Sequence, residues 1–383
     1  MSELLVNTIK KADGTGSLTV PAESGTVVTT ASPSLGRRNL ILNGSMAIAQ
    51  RGTSATSSAY NTVDRFRPYF SGVAVTTTQN ALTSGSPYDE GHRYSMKLAN
   101  TSTSSATNGF ARIFQVIEAQ NVAQSGWNYK SSSADVTLSF WAKSSLAGTY
   151  YCSFLSNDGT ARNYASSYTL SADTWKKVTI TVSGDANLTF NTDNGIGLYV
   201  YWVIDEGGDY SDSGFTLDQW GNLSVSSQVP DFPQHWNQTA SATFEITGVQ
   251  LEVGSVATPF EHRSYGEELA LCQRYYEVLK DTTVTNGVIG NAAYYNSSLV
   301  FLGLKFEHKR TNSPSLEQTT VANGYTFERS GATDDFNSWT GMLRTTASTA
   351  QLYVDSGVSG TAGQAGLVWT RNSNTYIAIE DEL

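Results

Sequence analysis

The sequence predicts an all-β chain: an antiparallel jelly-roll sandwich, a connecting amphipathic helix, then a smaller C-terminal β-sandwich. Three observations carry that prediction. Runs alternating apolar and polar residues recur from Arg37 onwards, separated by Gly, Asn and Asp turns. One segment alone has confident helical spacing. The composition is polar without being ionic, with 39% hydrophobic residues, 15% charged residues and 33 glycines, whereas an average chain is about a quarter charged. A length of 383 residues allows two or three domains and ample material for a core.

Residues 1–36 form a polar leader. From Asn7 on, its apolar residues, among them Leu18, Val20, Val27 and Val28, stand singly or in pairs among Gly, Pro, Ser and Thr. Such a stretch buries no core of its own and is expected to order only against a partner. The jelly roll is expected over 37–263. VTLSFWAKSS (136–145) puts Val136, Leu138, Phe140 and Ala142 on one face, and WKKVTITVSGD (175–185) does the same with Val178, Ile180 and Val182. GIGLYVYWVID (195–205) turns Ile196, Leu198, Val200, Trp202 and Ile204 inward and Tyr199, Tyr201 and Asp205 outward; ATFEITGVQLEVG (242–254) closes the block.

SYGEELALCQRYYEVLK (264–280) breaks the pattern. Ser264 and Glu267 stand at capping-box spacing, and Leu269, Cys272, Tyr276 and Leu279 follow a 3-4-3 spacing close to a short coiled-coil seam. An isolated helix of this length is marginal in water, so the stripe must bury itself on the adjacent sandwich or on other copies of the chain. After it, SSLVFLGLKFEHK (297–309) and short runs near 325–327, 342–345, 351–354 and 367–370 predict the second sandwich over 281–383. The sequence shows no repeat of fixed period, which argues against a β-helix or propeller.

Charge and cysteines narrow the function. Lys plus Arg minus Asp plus Glu is 24 − 34 = −10; phosphate would repel such a chain, so nucleic acid and anionic membranes are not expected partners. There is no 18-residue apolar run for membrane insertion, and the first residues lack a signal-peptide core. Cys152 and Cys272 are too few and too far apart for a disulfide framework, so both are expected to be buried and reduced, in a chain folded in a reducing cytoplasm.

No nucleophile elbow, phosphate loop or metal-spaced Cys/His set is present, and the four histidines are scattered. No catalytic residue, metal ligand or cofactor is therefore assigned, and the chain is expected not to be an enzyme. The run DEGGDYSDSG (205–214) brings Asp205, Glu206, Asp209 and Asp212 into a Gly-rich loop, either a solvated loop or an oxygen cage for calcium. Trp141, Tyr199 and Tyr201 alternate away from the core. They are candidates to stack on a sugar ring, unless a loop or a neighbouring subunit covers them.

An ordered series of motifs resembles bacteriophage tail-fibre and related virion proteins. NLILNGSMAIAQRGTS (39–54) with DRF (64–66) is similar to the opening of their jelly roll. FWAKSS (140–145), TLSADTWKKVTITV (169–182) and ITGVQLEVGSVATPFEHRS (246–264) are similar to its later strands. EELALCQRYYE (267–277) resembles the helix that follows, and IAIEDEL (377–383) the terminal strand.

The resemblance implies a structural virion protein, on the tail or decorating the capsid. Its leader (1–36) would attach to other virion proteins, and its distal domains would contact host-surface glycan or receptor. It also implies a homotrimer, with Leu269, Cys272, Tyr276 and Leu279 at the interface. A capsule or polysaccharide depolymerase working at a subunit groove is the enzymatic alternative. The jelly roll also looks like carbohydrate-binding modules that carry a structural calcium. Here Met46–Ala47 and Thr247–Gly248–Val249 stand where those modules place acidic ligands.

Overall fold

The apolar alternation becomes two facing six-stranded antiparallel sheets. The first runs Gly221–Asn222, Arg162–Leu170, Gly148–Ser156, Ile196–Glu206, Phe110–Glu118, Arg67–Ser71. The second runs Lys176–Ser183, Asp135–Ser144, Thr243–Val253, Tyr94–Asn100, Val75–Ala81, Ser54–Ala55. The chain crosses between them repeatedly, as a jelly roll requires. In this computed structural model the described residues are 38–280 and 285–383, with the backbone of Ile9–Lys10 and Ser17–Leu18.

The chain divides into two units, Met1–Arg38 and Asn39–Leu383. In the first, Ile9–Lys10 pairs antiparallel with Ser17–Leu18. The attachment role expected of residues 1–36 otherwise lies outside the described residues.

The core between the two sheets takes Val136, Leu138, Phe140, Val178, Ile180, Leu198, Val200 and Trp202, the inward residues that alternation singles out. Trp202 is fully buried, with Phe66 and Phe140 each at 5.8 Å between ring centroids. Such pairs add about 0.5–1.5 kcal/mol beyond area burial. Cys152 and Cys272 are buried and unbonded.

The opening motif packs its polar side chains inward. The Asn39 side chain accepts from the amides of Ile41 and Leu251 and donates to the Val249 carbonyl. That of Asn43 donates to the carbonyls of Ile48 and Asp64 and accepts from the Ile48 amide. A Cβ on Gly44 would lie 2.0 Å from the Val249 carbonyl oxygen, so this contact with the last strand admits only glycine. The strand opposite bulges between Thr247 and Gln250, where Gly248 takes φ +62°.

The helix starts where the capping box places it but is shorter than expected. It spans Tyr265–Gln273, with Ser264 and Glu267 capping each other reciprocally. Tyr276–Lys280 is a strand pairing with Ile377–Glu380. Tyr and Val favour that extended state, and the Arg274–Tyr275 corner is pinned to Glu118 (2.7 Å from Arg274 Nε to the carboxylate). The 3-4-3 stripe is therefore not one helical seam. Cys272 and Tyr276 are fully buried inside a single chain, Leu269 is half-buried, and Leu279 packs on the C-terminal core.

That second core lies between a three-stranded sheet (Tyr276–Lys280, Ile377–Glu380, Ser315–Gln318) and a seven-stranded one. The larger sheet runs Ala332–Phe336, Tyr325–Arg329, Ala365–Thr370, Val288–Asn296, Leu299–Lys305, Thr349–Val354, Gly341–Leu343. Charged residues join this half to the jelly roll. Arg65, with side-chain exposure of 1%, bonds to Glu382 and to the Val116 carbonyl, while Arg51 reaches Glu382 at 3.2 Å. Arg310 bonds the Asn194 carbonyl at 3.1 Å and pairs with Asp381 at 3.4 Å.

Removing one partner of a buried pair strands the other charge. Glu382→Ala should destabilise the chain by about 3 kcal/mol or more, whereas Glu380→Ala, whose carboxylate is far more exposed, should cost under about 1 kcal/mol. Equal denaturation midpoints for the two variants would contradict this.

Asp64 supplies a pH test. Burial pushes its carboxyl up to about 6, although Gln50 donates to it from the backbone and the side chain. The folded-state pKa lies above the unfolded one, so the stability it contributes is complete below about pH 4 and is lost as pH rises through about 6. Relative to the wild type, Asp64→Asn should therefore gain on the order of 3 kcal/mol between pH 4 and pH 7. Parallel stability profiles for the two proteins would refute the assignment.

Candidate functional site

Alternation sets what the first sheet shows to its outside. Because Leu198, Val200 and Trp202 point into the core, Tyr199 and Tyr201 point away from it. Their partners across the ladder are Val116 and Phe114, and Phe114 in turn faces Arg67 on the edge strand. The Tyr199 and Tyr201 rings lie nearly parallel, 15° apart at 5.4 Å. Phe114 is 5.6 Å from the first and 5.2 Å from the second, with Tyr69 and Tyr60 at 5.9 and 6.4 Å from Phe114. The Arg67 guanidinium sits over Tyr60, Tyr69 and Phe114 at 5.8, 5.4 and 5.6 Å.

Tyr60, Tyr69, Tyr199 and Tyr201 are half-buried, with Phe114 buried between them. Burial raises the Tyr199 and Tyr201 hydroxyls above their ordinary pKa, so both stay protonated and can donate. The other half of this face is covered. Phe215, Leu217, Val229 and Phe232, from the segment after the 196–206 strand, pack on Tyr151, Ala165 and Val203 and reach Tyr201. What stays open is a shelf of aromatic rings beside a guanidinium, suited to the C–H face and hydroxyls of a sugar.

Trp141 does not belong to this shelf. It lies on the other sheet, opposite Lys177, and faces the opposite side of the sandwich. Its exposure is 8%. Its Nε1 donates to Glu90 at 3.0 Å, and Lys177 donates to the same carboxylate at 2.8 Å. The expectation that Trp141 presents a stacking face is therefore corrected: a nonlocal segment covers the ring. His92 lies beside it, fully buried with both ring nitrogens unpartnered, and burial lowers its pKa to about 4, so it is neutral. A neighbouring cleft of about 480 Å³ is lined by Glu90, Lys177, Pro259, Phe260 and His262.

The acidic run does not converge. Asp209 and Asp212 are exposed, whereas Asp205 and Glu206 are buried. Glu206 pairs with Arg112 at 2.6 Å, and Asp205 accepts from the Asn237 amide at 2.7 Å. Among the described residues no group of three or more His, Cys, Asp and Glu side chains is placed to hold a metal ion. At the position comparable to the calcium site of carbohydrate-binding modules, the Gln79 amide donates to the Met46 and Ala47 carbonyls, and Thr247 donates to the Tyr94 carbonyl.

Asp205 and Glu206 instead open onto a cleft of about 390 Å³ that Asp231, His235 and Asn237 complete. Sequence reasoning missed Phe114, Tyr69, Tyr60 and Arg67 on the shelf, and Asp231, His235 and Asn237 here. Neither carried a signal: the Phe110–Glu118 strand is buried on both faces and shows no period of two, and residues 205 and 237 meet only in the fold.

The sequence matches no protein-family model and no curated protein. Among solved structures it is similar to a family 4 carbohydrate-binding module, with TM-score 0.30 and 11% identity over 55% of this chain and 98% of that one. It is similar to the family 11 carbohydrate-binding module of a Clostridium thermocellum cellulosomal cellulase, with TM-score 0.27 and 15% identity over 55% and 98%. A further similarity is to the enzymatically active domain of bacteriophage CBA120 tailspike protein 4, with TM-score 0.30 and 13% identity; it covers 56% of this chain but spans only 21% of the tailspike chain.

Proposed function

We propose that this chain is a non-enzymatic fibre or receptor-binding protein of a phage particle, on tail or capsid, whose jelly roll contacts host-surface glycan. The observation that carries the reading is the half-open shelf of Tyr60, Tyr69, Tyr199 and Tyr201 around Phe114, with Arg67 beside it. Neutral rings and one cation on a chain of net charge −10 suit a carbohydrate better than a phosphate polymer. Residues 1–36 attach the chain to other virion proteins, and the protein folds in the host cytoplasm before assembly. A depolymerase is the second reading, favoured by one observation: Asp205 and Glu206 lie side by side in a cleft, and burial raises both carboxyls, Glu206 to about 7.

Tyr199→Ala and Tyr201→Ala should each weaken binding to host polysaccharide about 3- to 10-fold per site, the loss expected for one stacked ring. Trp141→Ala should leave binding unchanged. The discriminating readout is a glycan array together with an assay for new reducing ends. Unaltered binding in both tyrosine variants would remove the shelf from the proposal, and polysaccharide cleavage lost on Glu206→Gln would replace it with the enzyme.

The assembly proposed is a homotrimer, in which three weak sites on one tip reinforce one another. With Cys272 and Tyr276 interior, support moves to the outward face of the seven-stranded sheet. There Tyr295 (68% exposed) lies against Phe301 at 5.3 Å between ring centroids, and Leu343 (42%) is exposed on the edge strand of the same sheet. Light scattering should give about three times the 41.3 kDa chain mass, and Tyr295→Glu with Leu343→Glu should release monomers. A chain lacking 1–36 should remain a trimer, at three times its own reduced mass, yet fail to join particles. A monodisperse monomer from the unaltered chain would rule the trimer out.

A further inference from the structure

The 205–238 cleft carries a feature that neither the shelf nor the fold uses. Asp205 Oδ1, Glu206 Oε2 and Asn237 Oδ1 are buried and accept no hydrogen bond from any described residue. The three residues are 2%, 2% and 5% exposed, yet each lines the cleft. His235 Nδ1 lies 3.5 Å from Asp205 Oδ1, at the outer limit of a hydrogen bond. Three other carboxylate oxygens of the cleft are committed: Glu206 Oε1 to Arg112, Asp205 Oδ2 to the Asn237 amide, and Asp231 Oδ1 to the Ser211 hydroxyl at 2.7 Å. Buried oxygens without donors are rare, and each calls for something outside the chain to supply the hydrogen.

The chemistry of that supplier is constrained. Every unmet group is an acceptor, so the ligand must present donors. Asp205 and Asp231 repel an anion, and no lysine lines the cleft. A bare metal ion is disfavoured because Arg112 already occupies one oxygen of Glu206. The volume of about 390 Å³ is at the small end of small-molecule sites, and Phe232 gives the cleft one apolar wall.

We propose that this cleft is a sugar subsite that takes one neutral or amino-bearing pyranose, whose hydroxyl or ammonium hydrogens meet Asp205, Glu206 and Asn237, and that it rejects acidic sugars. The proposal rests on the glycan-binding reading but names a second position, apart from the aromatic shelf. Burial, the first cause, raises the pKa of Asp205 and of Glu206 even though the Asn237 amide and Arg112 each meet one of their oxygens.

The test uses the full chain and saturation-transfer NMR with methyl glucoside, methyl galactoside, glucosamine and glucuronate. The neutral and amino sugars should give transfer and glucuronate none. Asn237→Leu removes an unmet acceptor, so its melting temperature should hold or rise while monosaccharide binding weakens at least 10-fold. Asp231→Asn alters an exposed residue and should admit glucuronate without changing the fold. Tyr199→Ala should leave the monosaccharide signals intact. Calcium added to the wild type should not displace the sugars; displacement would make the cleft a cation site and overturn the proposal. Full monosaccharide binding in Asn237→Leu, or equal binding of glucuronate by the wild type, would also overturn it. If polysaccharide binding then depends on Tyr199 alone, the shelf reading stands without the cleft. If the wild-type chain binds neither monosaccharide nor polysaccharide, both readings fall.

Discussion

Arg65 is the residue on which the arrangement of Asn39–Leu383 turns. It is a non-glycine residue at φ +69°, a conformation that costs free energy unless its surroundings enforce it. Its guanidinium is wholly buried, lies 3.4 Å over the Tyr275 ring, bonds the Val116 carbonyl and meets the Glu382 carboxylate. One side chain thus touches the opening motif, a central strand of the first sheet, the corner after the helix and the C-terminal segment. Burial works against the charge, but Glu382, Tyr275, Tyr60 and Cys272 together outweigh it and hold Arg65 protonated. A parallel tie sits one strand end away. Burial opposes the Glu118 carboxylate too, yet bonds from Arg274 and Tyr275 keep its pKa below the usual range. The Arg65–Glu382 pair, with Arg51 and Arg310 beside it, ties the second sandwich to the first, and Arg274–Glu118 holds the corner between them.

The motif residues behind the resemblance to phage fibres serve this same docking. Asn39 and Asn43 satisfy backbone groups of the first turns and the last strand, Gln50 bridges Asp64 to the Tyr276 carbonyl, and Gln115 closes both backbone groups of Leu42. Substituting any of them leaves a buried backbone donor or acceptor unmet, at roughly 1–3 kcal/mol each. Their polarity is a packing requirement. A reading that sought ligand contacts in that motif would look at the most interior polar groups of the chain.

What the sequence made legible follows from burial on one face. The strands Asp135–Ser144, Lys176–Ser183, Ile196–Glu206 and Thr243–Val253 lie within a residue or two of the runs that alternation marks. Phe110–Glu118 was not singled out, because all nine of its residues are buried and the period-2 signal vanishes. The helix start was legible from the Ser264–Glu267 box, which is local chemistry; its end was not, since Tyr276–Lys280 is drawn into a sheet by a strand a hundred residues away. Side-chain parity gave the direction of Tyr199, Tyr201 and Trp141 correctly. It says nothing of cover, and Glu90, from a distant turn, closes over Trp141 while Tyr199 stays half open.

The same nonlocality links the shelf and the cleft. The segment from Gly207 to His235 leaves the end of the 196–206 strand, folds over half of the outward face and returns to close the cleft. Phe232 belongs to both, packing edge-on against Tyr151 at 4.9 Å while forming a wall of the cleft. Cover on one side and concavity on the other are therefore consequences of one excursion. A longer or shorter loop would change how much aromatic surface is exposed and the volume of the cleft together. Sheet positions such as Tyr199 and Tyr201 are held by ladder register on both sides, whereas Asp231 and His235 ride on the excursion itself. The shelf is thus the rigid element and the cleft the variable one. Under the proposed glycan-binding reading, that division would let the fixed sandwich hold sugar faces in general while loop sequence selects which sugar fits.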